Sequence, residues 1–478
     1  MAESIDQPAD NWTSPRLIVE HADRLRRRSI RESKDLTDYS SVNIGTKNKA
    51  AFGLALERLY FEIDPKNSPQ PDFKVAQIEL KSTAMTQTKS GLVAKERLKL
   101  NKIDFSSEAA TTFTTSSFFK KCRRLLIVGY LHDSDTAVID LEIKSVVLFV
   151  LDLIPFEDRR IILEDWEIIH RKIALGKAHE LSEGDTRLLG ACTSGIDRTQ
   201  RTKQLYGPPA KPRAYSLKQS YLNILLKSGT SSFGVGDKTV PYGCDPGYQL
   251  PDTAGDWASS FLTSDASISF EDEIVMSFNE YVGVAVDGLY QQFAINPKAK
   301  HANYLLVLAI LGQRFRLLEL LNASGIQIKT IQLTPSGTPS QSMSFPAFSC
   351  SSIVHEDWES VDDDDIHFKN HISKRFMFVV FQSNLDEQKV KRRSLKFVTF
   401  WNMPFADRET VRLGWERTKE AVSNSDPDSF PKLSDRQIMH VRPHGDNRHD
   451  VDTLPNGTQI LKSCFWLNAL YIKSIVDQ

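Results

Sequence analysis

Pro71-Asp72-Phe73-Lys74-Val75-Ala76-Gln77-Ile78-Glu79-Leu80-Lys81 sets a lone carboxylate seven residues before an acid-apolar-lysine triplet. Ile78 to Lys81 alternates apolar and polar, so a strand here sends Glu79 and Lys81 to one face and Ile78 and Leu80 to the other. Asp72 then lies at the far end of the preceding turn or strand. Two carboxylates held close together repel unless a cation sits between them, and hard oxygen ligands that leave waters in place suit Mg²⁺. A lysine beside such a pair stabilises a hydroxide nucleophile or the extra negative charge of a phosphoryl transition state. The plain alternative is a solvated strand face, because Asp, Glu and Lys are common residues.

The stretch has the Pro-Asp…Glu-x-Lys form of many DNA-cutting enzymes, and its flanks sharpen that reading. Upstream, Lys49 to Tyr60 reads as a helix that brings Glu57 toward the same metal. Lys49, Gly53, Glu57, Asp72, Glu79, Leu80 and Lys81, in this order and near these spacings, resemble the MutH family. That family comprises a mismatch-repair nicking endonuclease and type II restriction relatives that cut at GATC. Glu164-Asp165-Trp166-Glu167 followed by Ile173-Ala-Leu-Gly176 is similar to a further family block, and the resemblance runs from about Lys47 to Leu226. It implies a mixed α/β nuclease fold, Mg²⁺ held by Asp72 and Glu79 with Glu57 assisting, a catalytic Lys81, and Lys49 and Lys121 at the flanking phosphate.

At 478 residues the chain is too long for one ordinary core. No apolar run approaches a membrane span, and the acidic N-terminus lacks the basic start of a signal peptide. Five scattered cysteines without paired spacing read as reduced thiols in a cytoplasm. Net charge is −1, but residues 1–228 hold 36 Lys+Arg against 30 Asp+Glu, whereas 229–478 hold 24 against 31. The first half is therefore the better DNA binder. Its cluster Arg24, Arg26, Arg27, Arg28 and Arg31 reads either as a solvated helix face or as an arm along phosphates.

Arg198 to Lys227 carries seven basic residues and no acid, and the resemblance places base reading in this region. Thr193, Ser194, Arg198, Arg213, Tyr215, Ser216 and Lys218 are the DNA-binding candidates. Arg213 to Lys218 resembles the family's aromatic-Tyr-Leu-Lys segment, with the family tyrosine falling on Ser216 rather than Tyr215 when the following helix is aligned. Arginine bidentate to guanine is the commonest base-specific contact.

Residues 229–262, rich in Gly, Ser and Pro, read as a linker. Beyond it the chain echoes its first half. Gly283 to Tyr290 mirrors Gly53 to Tyr60, Ala323 to Lys329 mirrors Val75 to Lys81, Lys374 to Val380 mirrors Arg123 to Gly129, and Leu467-Asn468 mirrors Leu222-Asn223. Gln327 stands at the place of Glu79, Leu320 at the Asp72 spacing and Asn279 at the place of Lys49. The second copy thus keeps the fold without the metal ligands, leaving DNA binding, dimer contact or regulation as its task. Two further clusters invite a metal reading: the acids Glu356 to Asp365 read instead as a disordered loop, and His440, His444 and His449 as a loop matching the base-reading region.

The sequence therefore predicts two PD-(D/E)xK-type α/β domains, residues 1–228 catalytic and 263–478 degenerate. It predicts a Mg²⁺-dependent type II restriction endonuclease acting on double-stranded DNA. The alternatives are a nicking endonuclease that awaits a mismatch-repair partner and a non-cleaving DNA-binding protein.

Overall fold

The computed structural model describes residues 12–34, 50–64, 68–89, 91–231, 239–245, 248–253, 268–360, 367–385, 391–445, 447 and 449–477. The first half opens with helices α1 (Pro15–Asp23), α2 (Ile30–Lys34) and α3 (Ala51–Ala55), the last continued by one π-helical turn, Leu56–Tyr60. Strands β1 (Glu79–Thr88), β2 (Gly91–Ala94) and β3 (Leu98–Lys102) precede helices α4 (Phe105–Glu108) and α5 (Ser117–Cys122). Then come β4 (Arg124–Leu131), β5 (Ile143–Val150), the long helix α6 (Phe156–Ala174), β6 (Leu189–Thr193), β7 (Arg213–Leu217) and α7 (Gln219–Ser231).

Two sheets result, β2-β1-β4-β5 and β3-β7-β6. β1 runs parallel to β4, pairing Glu79 with Leu125 and Lys81 with Ile127, and β4 runs antiparallel to β5. β4 is apolar without alternation because both faces are covered. Leu126 and Val128 pack toward α1 and α3 with Phe52 and Leu56, while Leu125 and Ile127 join Leu222 and Leu225 of α7 on the other side. Asp165 of α6, fully buried, accepts from the backbone N–H groups of Arg187, Leu188 and Leu189 and so anchors the start of β6.

The second half follows a similar but not identical order of elements. Helices α8 (Phe270–Met276), α9 (Val286–Gln292), α10 (Ala302–Gly312) and α11 (Phe315–Ala323) lead to β8 (Gln327–Leu333) and β9 (Met343–Ala347). Helices α12 (Cys350–Ile353) and α13 (His367–Ile372), strands β10 (Phe376–Leu385) and β11 (Lys391–Trp401), and helix α14 (Phe405–Ser423) follow. The chain ends with β12 (Met439–Pro443), β13 (Val451–Thr453), β14 (Gln459–Leu461), β15 (Ser463–Leu467) and α15 (Ala469–Val476). β8 is parallel to β10, pairing Gln327 with Phe376, and β10 is antiparallel to β11. The sheet β12-β15-β9 matches β6-β7-β3 in order and direction.

One of the four sequence echoes is out of register. Met439 pairs with Leu467 as Leu189 pairs with Leu217, and the Asn468 N–H donates to the Ile438 carbonyl as Lys218 donates to Leu188. Leu467-Asn468 therefore corresponds to Leu217-Lys218, five residues before the Leu222-Asn223 that the sequence alone suggests. A two-residue match on an apolar stretch carries too little information to fix a register that backbone pairing fixes.

The halves are not beads on a string. One hydrophobic core runs from Ile127, Phe149 and Leu222 to Phe270, Leu320 and Val379. Glu271 binds both Arg187 (3.0 Å) and Arg375 (2.6 Å), Arg160 pairs with Glu273 at 2.7 Å, and Arg316 pairs with the buried Asp158. Parts of the predicted linker are also packed. Tyr242 N–H donates to the Leu148 carbonyl at 2.8 Å, and Arg16 pairs with Asp252 at 2.6 Å. All five cysteines are free, and no helix among the described residues is long and apolar enough to cross a membrane.

Candidate functional site

The seven-residue spacing of Asp72 and Glu79 is the span of a tight hairpin. Phe73 and Ile78 exchange both backbone hydrogen bonds, at 2.9 and 3.2 Å, around the turn Lys74 to Gln77. Gln77 holds φ at +54°, an uncommon value for a residue with a side chain. Its carbonyl oxygen Oε1 accepts from Arg124 Nη1 at 2.9 Å, tying the turn to β4. Closing the hairpin puts the Asp72 N–H 3.2 Å from Glu79 Oε2, and the Leu80 N–H donates to Asp72 Oδ2 at 2.9 Å. Arg124 was legible in the sequence only as one of a run of cations before a strand; its role as a brace needed the fold.

Glu79 and Lys81 share a strand face, as the alternation predicts, and the Lys81 ammonium donates to Glu79 Oε1. Lys121, from the last turn of α5, approaches the same oxygen to 3.4 Å and donates to the Ser68 carbonyl at 2.9 Å. Glu57 projects from the π-helical turn. Its carboxyl is pushed up to about 7 by burial and by the charge of Asp72, with Lys81 pulling the other way. Glu79, 1% exposed, is likewise raised, by burial first and against the pull of Lys81. Burial would lower Lys81, but the charge of Glu79 outweighs it and holds the ammonium protonated. Gly53 lets α3 lie close to β1: a Cβ there would stand 3.3 Å from Ser82 Oγ. Lys49 lies outside the described residues.

The structure thus gathers Glu57, Asp72, Glu79, Lys81 and Lys121 into one electrostatic unit. Among the described residues no three metal-ligating groups are already spaced to hold an ion. Glu79 is engaged by two ammonium groups and Asp72 by a backbone N–H.

The DNA-binding candidates separate into two sets. Thr193 ends β6 and is itself buried, Ser194 follows with its N–H on the Pro212 carbonyl at 2.8 Å, and Arg198 is exposed in the loop beyond. The other four are folded inward, unlike the base-reading surface expected of them. Tyr215, fully buried, donates to Glu108 Oε1 at 2.9 Å, and Ser216 is fully buried beside Gly190. Arg213 donates to the carbonyls of Ala191 (3.2 Å) and Leu181 (2.9 Å), and Lys218 to that of Glu183 at 2.8 Å. β7 is the middle strand of its sheet and is covered on both faces, so every side chain from Arg213 to Leu217 is buried.

The acidic run of the second half is partly structured. Asp357 pairs with Arg198, and Glu359 with Arg201 and Lys211 at 3.3 and 3.4 Å. Its members Asp362 to Asp365 lie outside the described residues. His440 is buried in β12 against Asn468, and His444 meets the Trp466 ring edge-on at 5.0 Å. His440 lies in the strand that matches β6 of the first half, and His444 just beyond it. Of the early arginines, Arg26 pairs with Asp23 at 2.9 Å and Arg31 with Asp140 at 2.6 Å, while Arg24, Arg27 and Arg28 are exposed.

With this geometry in view, comparison with known proteins is direct. The family described as DNA mismatch repair enzyme MutH matches residues 61–165, a segment that holds Asp72, Glu79, Lys81 and Lys121. The type II restriction enzyme Sau3AI of Staphylococcus aureus is 30% identical to this chain over 90% of its length and 93% of that protein's. The likeness therefore includes the second half as well as the Asp72–Glu79 hairpin. The chain belongs to the MutH-like type II restriction endonucleases.

Proposed function

We propose that the protein is a Mg²⁺-dependent restriction endonuclease that hydrolyses both strands of duplex DNA at GATC. The carrying observation is the hairpin that sets Asp72 against Glu79 with Lys81 on the same face. Three carboxyl groups crowd together there, two with raised proton affinity, and such a set favours a cation. Hard oxygens from Asp72 and Glu79, with Glu57 beside them, fit Mg²⁺. The ion supplies Lewis acidity toward the phosphate and a lowered pKa for water.

The chain's own residues do the rest. Lys81, kept protonated by Glu79, offers its charge to the nucleophile or to the phosphoryl oxygens in the transition state. Lys121, with Lys49, binds the flanking phosphate. Ser194 and Arg198 meet the DNA, while Thr193, buried at the end of β6, and Arg213, Tyr215, Ser216 and Lys218 hold the sheet that carries them. The matching strand orders support a duplicated nuclease-type domain whose second copy, without the carboxylates, serves DNA binding or dimer contact.

The test is to incubate the purified chain with Mg²⁺ and plasmid DNA free of adenine methylation, then sequence every end. Ends confined to GATC are expected. Ends at another sequence would overturn the site assignment, and binding without cleavage would overturn the enzyme.

A further inference from the structure

Residues 194–212, which join β6 to β7, begin with a turn whose own side chains hold it in shape. The Ile196 N–H donates to Gln200 Oε1 at 2.8 Å. Asp197 Oδ1 accepts from the N–H groups of Thr199 and Gln200 at 2.8 and 3.0 Å and from the Thr199 hydroxyl at 2.6 Å. Arg201 Nη1 donates to the Arg198 carbonyl at 2.7 Å, and Thr202 and Ala210 exchange both backbone hydrogen bonds, at 2.8 and 3.0 Å. A Cβ at Gly195 would stand 3.1 Å from the Asp197 carbonyl oxygen, so the chain folds closely on itself here.

From this turn Ile196 projects with 87% of its surface exposed, more than any other large apolar side chain among the described residues. Exposed apolar residues scattered singly over a surface need no explanation, but Ile196 differs in its setting. Its backbone is fixed, its branched side chain has few rotamers to lose, and Ser194 and Arg198, which face the DNA in the proposed function, stand two residues to either side. A stiff apolar side chain presented in this way loses little entropy and much wetted surface when it is covered. Leu205 and Tyr206, exposed farther along the connection, are placed differently: Tyr206 lies against Gly176. In duplex DNA the apolar surface is in the base stack, and isoleucine is among the side chains that enter it as wedges while cations hold the phosphates. Arg198 is engaged with Asp357, but at the surface, where such a pair is weak and a phosphate can take the carboxylate's place.

We propose, resting on the reading that this loop meets duplex DNA, that Ile196 is a specificity-determining wedge that enters the base stack and opens one step. It selects by deformability, because flexible steps open at the least cost.

The full-length chain carrying Lys81→Ala, so that bound DNA stays intact, is titrated in Mg²⁺ with duplexes holding one copy of the sequence at which the wild-type chain cuts. Each duplex carries 2-aminopurine at a different position across the site and its flanks, and the fluorescence of that base rises when it is unstacked. A rise confined to one step is expected. Ile196→Ala in the same background is expected to remove the rise and weaken affinity by about tenfold, through loss of buried apolar surface, while Ile196→Met retains both. Because the side chain is exposed, the melting temperature of the free protein should not move. Unchanged affinity and fluorescence in Ile196→Ala, a rise that persists in it, or binding with no unstacked step at any position overturns the wedge and leaves the DNA-cutting reading standing. A wild-type chain that neither binds nor cuts duplex DNA overturns that reading and the wedge with it.

Discussion

At the scale of single residues the centre is a balance between crowded carboxylates and two ammonium groups. Lys81→Ala is expected to abolish cleavage while DNA affinity in a gel-shift assay falls by less than about tenfold, since its charge acts mainly in the transition state. Cleavage at the normal rate would remove Lys81 from the mechanism. Glu57 gives a second expectation. In metal-free protein its folded-state carboxyl is raised to about 7 from an ordinary 4.5, so the folded state favours the protonated form. Its contribution to stability is fully present below about 4.5 and is lost as pH rises through about 7. Melting temperature in EDTA should therefore fall more steeply across that window in the wild type than in Glu57→Gln. Parallel curves would show that Glu57 does not carry the shift. These acids were legible in the sequence because their arrangement is local: a turn and an alternating strand fix which side chains share a face. Arg124 and Ser68, which brace the site from elsewhere in the chain, have no such local signature.

At the scale of elements, the loop that presents Arg198 is seated by a close backbone crossing. Gly176 ends α6 with φ at +69°, and a Cβ there would collide with the Tyr206 carbonyl; Gly207, at φ +78°, faces the Gly176 carbonyl in return. Gly176→Ala should cost more than about 1 kcal/mol, because it meets both a left-handed backbone and a rigid neighbour. Thermal denaturation measures that cost, and an unshifted melting temperature would show that the crossing yields freely. The sequence marks Gly176 only as part of a family-like block. The need for glycine comes from a segment thirty positions onward, which spacing does not reveal. The same limit applies to β7. Alternation assigns Tyr215 and Ser216 to opposite faces, but only the sheets and helices around that central strand determine that both faces are covered.

At the scale of the whole molecule, the shared core and the Glu271 bridge make the two halves one folding unit. Glu271 is mostly buried and serves two arginines, so Glu271→Ala strands Arg187 and Arg375 without their partner. A loss of about 3 kcal/mol is expected, in the range for breaking a buried ion pair. Denaturation should show a single transition in both proteins. Two transitions, or an unchanged midpoint, would mean that the halves unfold independently. What the sequence by itself determined is the Asp72, Glu79 and Lys81 arrangement, the α/β class, the family and the lack of matching carboxylates in the second half. All of these rest on residues close together in the chain or on identities at matching positions. What only the tertiary structure decided is which basic residues face outward, that Asp357 and Glu359 pair with the basic loop, and that a composition-defined linker is partly packed. Burial and ion pairing depend on which surfaces meet, and contacts between residues far apart along the chain leave no periodic trace in it.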